Sequence, residues 1–353
     1  MRILLPTLYD TRGGSTRVLL AAATALAERH AVTVRAPLPE AHERTPADFP
    51  SQPLESLPAK LAVLPRLAGL VARETRALRR LRPEVIHVHD EPSLAVYGLA
   101  ARALRPRPFV LWHLHAPTGG GRAAPLLARL ADACILLGPH AEAPGGLPAR
   151  VVRNPLPRPV RREAPSPALP GLAVVGALTH RKGQDRALEA FAVFCRRPGT
   201  QDARLTLIGP ALDLAFAQAL RDRAAALGLA DRVVLAGERP ADRAFEGVGL
   251  ALFPSRAEMQ PLALAEAMAR GLPVVASDIP AHRAMLTEAG ADPAALAAPE
   301  PERFADAILS AARQPPPPDL AERVAALHAP DRFAADLEAA LAALVPPERN
   351  AGL

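Results

Sequence analysis

Residues 154–170 carry prolines at 155, 157, 159, 165, 167 and 170. Proline fixes φ and has no amide hydrogen, so this stretch is barred from a helix interior and from a central strand. It reads as a linker, and the halves on either side repeat one pattern. The first half opens on a short apolar strand that ends at Pro6. Gly13-Gly14, a helical run from Thr16 to Arg29 and a β-branched segment at 31–34 follow, which makes a βαβ unit. A proline-rich surface stretch from Pro37 to Pro65 comes next. Strands are then expected at Val85–His89, Phe109–Leu114, Ala133–Leu137 and Arg150–Val152, with helices near Leu67–Leu81, Pro92–Leu104 and Gly121–Ala131. From Gly171 the alternation restarts, with strands at Leu172–Val175, Arg204–Ile208, Val233–Leu235, Leu250–Phe253 and Pro273–Ala276. The intervening helices are Gln184–Cys195, Ala215–Leu227 and Leu262–Arg270. Strands alternating with helices define an α/β fold with parallel sheets. The expectation is two doubly wound domains facing across a cleft, at 1–153 and 171–315, joined by the linker 154–170. A helical tail at 316–353 is expected to pack back toward the first domain.

Composition narrows the function classes. The chain has 353 residues, long enough for two conventional cores, and at 50% hydrophobic and 22% charged it suits a folded globular protein. Its 42 Lys and Arg exceed its 36 Asp and Glu by 6, but only 3% of residues are aromatic. A basic balance without interleaved stacking rings argues against a nucleic-acid binder. Cys134 and Cys195 form no CxxC pair and read as buried thiols. No run approaches the roughly 18 apolar residues of a membrane span, and the first apolar run is too short for a signal sequence. A cytoplasmic location is expected, with peripheral contact to a membrane surface left open.

Three segments are suited to holding an anionic small molecule. Gly13-Gly14 follows the first strand and allows close backbone approach, although an ordinary tight turn has equal claim. It is neither GxxxxGK[ST] nor GxGxxG, so Walker-type hydrolysis and hydride transfer lose support. Gly176-Ala177-Leu178-Thr179-His180-Arg181-Lys182-Gly183 follows the first strand of the second half and sets cationic side chains beside flexible backbone, as a diphosphate clamp requires. Pro254 to Ala276 holds Glu258 in a loop and Glu266 inside an otherwise apolar helix. A lone buried carboxylate needs donors, which ribose hydroxyls or structural partners supply. Pro261 opens the helix, so the amides from Leu262 onward can face phosphate. His87 and His89 share one strand face, with Asp90 at the strand end; His113 and His115 likewise share a face. No metal site is expected, and no DxD occurs in a convincing metal-binding loop.

These segments resemble the Glu-x7-Glu signature and accompanying loops of retaining glycosyltransferases of the two-Rossmann (GT-B) type, group 1 or family 4. The resemblance runs through Gly13-Gly14, Asn154-Pro155, Gly176–Gly183, Leu207-Ile208-Gly209, Asp231–Gly237 and Pro254–Ser277. It implies transfer of a sugar, with retention and without a metal, from a UDP-, GDP- or ADP-sugar to a saccharide, lipid-linked or small hydroxyl acceptor. No tightly bound cofactor is implied. In that family's terms Glu266 takes the ribose hydroxyls, Glu258 the hexose hydroxyls, and Lys182 with Arg181 the diphosphate. Gly14 and the Leu262 amide approach the phosphates, Gly237 and Glu238 line the base, His115 faces the donor sugar, and Asp90 lies on the acceptor side. Ala177 departs from the pattern, which often has arginine there, and the stretch from Gly237 to Phe253 is short. An inactive transferase-like partner subunit and a sugar-nucleotide epimerase or hydrolase are the alternatives.

Overall fold

The computed structural model describes residues 1–10, 13–47, 57–115, 123–157 and 171–347, with side chains left undescribed at 57–65 and 123. Of the expected linker, 158–170 lies outside the described residues, as do Thr11-Arg12 and the start of the helix expected from Gly121. The chain forms two compact units, Met1–Pro155 with Pro330–Leu353, and Leu156–Ala329.

The first unit runs β1 (Arg2–Pro6), α1 (Gly14–Leu26), β2 (Ala31–Ala36), β3 (Glu43–Arg44), α2 (Leu57–Leu81), β4 (Val85–Val88), α3 (Glu91–Arg102), β5 (Phe109–His113), α4 (Ala123–Ala128), β6 (Ala133–Leu136) and β7 (Ala149–Val151). Its sheet has the order β3-β2-β1-β4-β5-β6-β7 among the described residues, and every pairing is parallel. Such sheets are covered on both faces, which is why β4, β5 and β6 read as unbroken buried runs. Helix α1 meets the sheet through Val18, Leu19, Ala22 and Leu26, one stripe at helical spacing. Helix α2 starts ten residues earlier than the periodicity predicts: Pro58 falls in its first turn, where a missing donor costs nothing, and Pro65 removes one interior bond. A charged network is buried between elements: Glu74 of α2 accepts from Arg35 of β2, from Arg73 and from Tyr97 of α3.

The second unit runs β8 (Leu172–Val175), α5 (Gln184–Phe194), β9 (Leu205–Ile208), α6 (Leu214–Ala226), β10 (Val233–Gly237), β11 (Leu250–Phe253), α7 (Leu262–Ala269), β12 (Val274–Ser277), α8 (Pro280–Ala289), β13 (Leu296–Ala297), α9 (Pro301–Arg313) and α10 (Leu320–Leu327). Its parallel sheet has the order β10-β9-β8-β11-β12-β13. Relative to its own first strand that is 3-2-1-4-5-6, the doubly wound order of Rossmann domains. Leu172 and Val174 enter one core with Leu188, Phe191 and Phe304, while Ala173 enters the other with Leu264, Met268 and Val324. Alternation along β8 thus feeds both layers. Helix α8 and strand β13 have no counterpart in the sequence-based expectation: α8 carries Arg and His within its apolar spacing, and β13 has two residues. Helix α10 packs on α7 and α8, whereas the last helix, α11 (Pro330–Leu344), packs on α1 and β7 of the first unit. His30 Nε2 lies 3.1 Å from Glu338 Oε2 at that contact.

Candidate active site

In the second unit, β8 and β11 lie side by side while their connections leave in opposite directions, so a crevice opens at their carboxyl ends. The loops that leave these two ends are locked together. After β8 the chain passes Gly176 and a single 3-10 turn, His180–Lys182, and reaches Gly183 at φ +71° before α5. A Cβ on Gly183 would lie 2.1 Å from the carbonyl oxygen of Pro254, so only glycine permits both the left-handed backbone and the contact. Lys182 Nζ lies 2.6 Å from Glu258 Oε1, and Arg181 Nη1 donates to Glu258 Oε2 at 2.8 Å and to the Ala257 carbonyl at 3.0 Å. Ser255 Oγ also donates to Glu258 Oε1, at 2.9 Å. The Arg256 amide donates to the Arg181 carbonyl at 2.8 Å, and its guanidinium forks onto Asp185 at 2.8 and 2.6 Å. Two cations and one buried carboxylate therefore stand at the switch point. Lys182 uses one of its three N–H donors on Glu258.

Burial opposes the charge on Glu258, but Lys182 and Arg181 outweigh it and hold the carboxyl at about 2. A carboxylate depressed in the folded state adds stability above its ordinary value of 4.5 and loses it as pH falls through about 2. In a carbon-detected NMR titration the Glu258 carboxyl is expected to stay ionised well below its ordinary range, with a midpoint at about 2. A midpoint at the ordinary value would show that the two cations do not hold it in solution. Behind this pair His282 of α8 is fully buried; its Nδ1–H donates to the Ser277 carbonyl at 2.8 Å, and Ser277 Oγ donates to the Ser255 carbonyl at 2.5 Å. Burial pushes His282 down to about 4, so it is a neutral support for the Ser255–Glu258 loop. His282, Ser255, Arg256 and Asp185 had no role in the sequence reading. The Pro254–Ala276 motif contained two of them, but nothing in its spacing marked their partners.

The other expected donor-side residues follow carboxyl ends of strands in the same parallel sheet. Glu266 is buried on α7, and Leu262 is the first residue of that helix, behind Pro261. Gly237 ends β10 at φ +71°, followed by an exposed Glu238. Gly209, at the end of β9, would place a Cβ 2.2 Å from the Gly176 carbonyl oxygen, so the backbones meet at the rim.

Gly14, Asp90 and His115 belong to the first unit. Gly14 opens α1 behind an extended Gly13, with no side-chain cap. Asp90 caps α3: it accepts from the Ser93 amide at 2.7 Å, from Ser93 Oγ at 2.8 Å and from Thr7 Oγ1 at 3.1 Å. His115 follows β5 and meets His89 through a 2.9 Å Nε2···Nδ1 contact. Asp90 and His115 thus stand at the carboxyl ends of neighbouring strands.

Two doubly wound parallel sheets in one chain, one with two cations gathered on a buried carboxylate at its switch point, are the architecture of the GT-B class. Anabaena Alr3699/HepE in complex with UDP-glucose superposes with a TM-score of 0.73 at 18% identity, covering 98% of this chain and 100% of that one. A glycosyltransferase from Rickettsia africae ESF-5 does so at 0.70 and 12% identity, covering 100% and 99%. Residues 12–164 match Glycosyltransferase Family 4 and residues 170–314 match Glycosyl transferases group 1. With both halves matched, the chain belongs to the GT-B glycosyltransferases of the group 1/family 4 kind. Among curated proteins it is 33% identical over 124 residues to the lipopolysaccharide core biosynthesis mannosyltransferase LpsB of Rhizobium meliloti (strain 1021). That match spans 34% of this chain and 35% of the mannosyltransferase's length.

Proposed function

We propose that the protein moves a sugar from a nucleotide-sugar donor to a hydroxyl acceptor with retention at the anomeric carbon, in glycan or glycoconjugate synthesis. The observation that carries this reading is the Lys182–Arg181–Glu258 cluster at the switch point of the second unit. In the reaction, the bond between the anomeric carbon and the donor phosphate oxygen breaks, and the diphosphate leaves with the electron pair. The acceptor oxygen bonds to the same face of the sugar and passes its proton to the departing phosphate. Negative charge grows on the leaving diphosphate, and cations already in place stabilise it most as it forms. Lys182 and Arg181 fill that role in this reading, so no metal is assigned to the donor. Glu258 accepts from hexose hydroxyls and Glu266 from the ribose hydroxyls; Leu262 offers its amide to phosphate, and Gly237 and Glu238 border the base. From the first unit, Asp90 is assigned to the acceptor, and Gly14 and His115 to the donor's phosphates and sugar.

No helix among the described residues is long and apolar enough to cross a membrane. We place the reaction in the cytoplasm or at the cytoplasmic face of a membrane. The complex of HepE with UDP-glucose makes that sugar nucleotide the first donor to try.

The test is incubation of the full chain with UDP-, GDP- and ADP-hexoses and a panel of saccharide, lipid-linked and small hydroxyl acceptors. Products are read by mass spectrometry and their anomeric configuration by proton NMR. The expected result is a transferred sugar of unchanged configuration, with Glu266→Ala weakening nucleotide binding at least about tenfold in calorimetry, as loss of a charged acceptor implies. An inverted product would overturn retention, and free sugar without an acceptor would indicate a hydrolase. A protein that binds no nucleotide sugar would be a partner subunit instead.

A further inference from the structure

Strands β4 and β5 pair in parallel with Val88 opposite Trp112, so the next residues along, His89 and His113, are neighbours. Side chains two apart share a face, which brings His87 and His115 to the same cluster. Ring centroids of His87, His89, His113 and His115 are 4.3–5.4 Å apart in five pairs. His87, His89 and His113 are 0%, 2% and 0% exposed. Both nitrogens of His87, both of His113 and Nε2 of His89 have no hydrogen-bond partner among the described residues. An unpaired buried polar atom is costly, and five of them on three touching rings call for a ligand.

We propose that His87, His89 and His113 bind one divalent first-row transition ion, Zn²⁺ in the first instance. One nitrogen from each ring already lies within 4.8 Å of the others. Tetrahedral Zn–N bonds of about 2.0–2.1 Å bring such nitrogens to about 3.4 Å from one another, a change within reach of side-chain rotation. Imidazoles without a thiolate or carboxylate suit Zn²⁺, Ni²⁺ or Cu²⁺ rather than Mg²⁺ or Ca²⁺. His115 completes the arrangement from outside. With His89 Nδ1–H donating to His115 Nε2, the lone pair of His89 is left on Nε2, the nitrogen that has no hydrogen-bond partner. The ion would brace β4 against β5 and fix the ring that holds His115. The site rests on the first unit's own residues; its one link to the proposed function is His115, assigned above to the donor sugar, and it departs from the sequence-based expectation of no metal.

The test uses the full chain without a histidine tag, stripped by a chelator and titrated with Zn²⁺ by calorimetry and with Co²⁺ by visible absorption. The expected result is one equivalent of either ion and cobalt bands of four-coordinate intensity, with a thermal unfolding midpoint that rises with Zn²⁺. His113→Leu, and His87→Phe in case the first variant fails to fold, should each weaken binding at least about 100-fold and abolish the cobalt bands. Binding well below one equivalent by the wild type would overturn the site, leaving the orphaned nitrogens to trapped water. So would unchanged binding in a folded variant, which would place the ion elsewhere.

Discussion

Replacing Lys182 by alanine is expected to lower kcat/KM for sugar transfer by about 10²–10³, the range seen when one preorganised group facing developing charge is removed. The fold should persist, because Glu258 keeps Arg181 at 2.8 Å and Ser255 at 2.9 Å. Lys182→Arg should recover only part of the loss, since a planar fork cannot occupy the position of a compact ammonium 2.6 Å from Glu258. Steady-state kinetics on the donor selected by the panel, beside a thermal unfolding curve, check this. A loss within threefold would remove Lys182 from the leaving-group side of the reaction.

The largest expected effect on stability lies in the first unit, at Glu74. Its carboxylate is fully buried and accepts from Arg35 Nε at 2.6 Å and Nη2 at 3.2 Å, Arg73 Nε at 2.7 Å and Tyr97 Oη at 2.8 Å. Burial opposes its charge, and the bonds from Arg35, Arg73 and Tyr97 hold it below the usual carboxylate range. Removing one partner of a buried ion pair strands the other, at a cost of about 3–5 kcal/mol. Glu74→Leu should therefore destabilise the first unit by about that amount, and adding Arg35→Met should recover part of it, because the stranded charge goes with it. Two units need not unfold together, so the probe must belong to one of them. The chain's one tryptophan, Trp112, is buried on β5 and reports the first unit by fluorescence during urea unfolding. A loss below about 1 kcal/mol would show that the network contributes little net stability.

Most of the secondary structure was legible because its causes are local. Short apolar runs bounded by glycine and proline located the strands from β4 to β12 within a residue or two, and α5, α6 and α7 differ from expectation by about one residue at either end. Where the local signal is mixed, the reading failed. Two prolines concealed the start of α2, and α8 was lost because His282 and Arg283 stand inside its apolar spacing. The residues of the candidate site were visible as types: cations after a strand and acids around a helix start. Their mutual pairing was not, since Arg181 and Glu258 are 77 positions apart. The histidines show the same limit. Each His-x-His pair could be placed on a strand face, but the cluster exists only because β4 and β5 are neighbours, which joins His89 to His115 across 26 positions.

Residue order and chemistry alone are enough to set the two-fold α/β alternation, the places where backbone must turn, and the kinds of chemical group at the strand ends. Which strand lies beside which is settled in the folded chain, and with it the meeting of Lys182 with Glu258 and of four histidines on one face. Hydrophobic period and turn chemistry act over a few residues, whereas the neighbour of a parallel strand is selected by the packing of its crossover helix. A strand's residues state that it is buried. They carry no address for its partner.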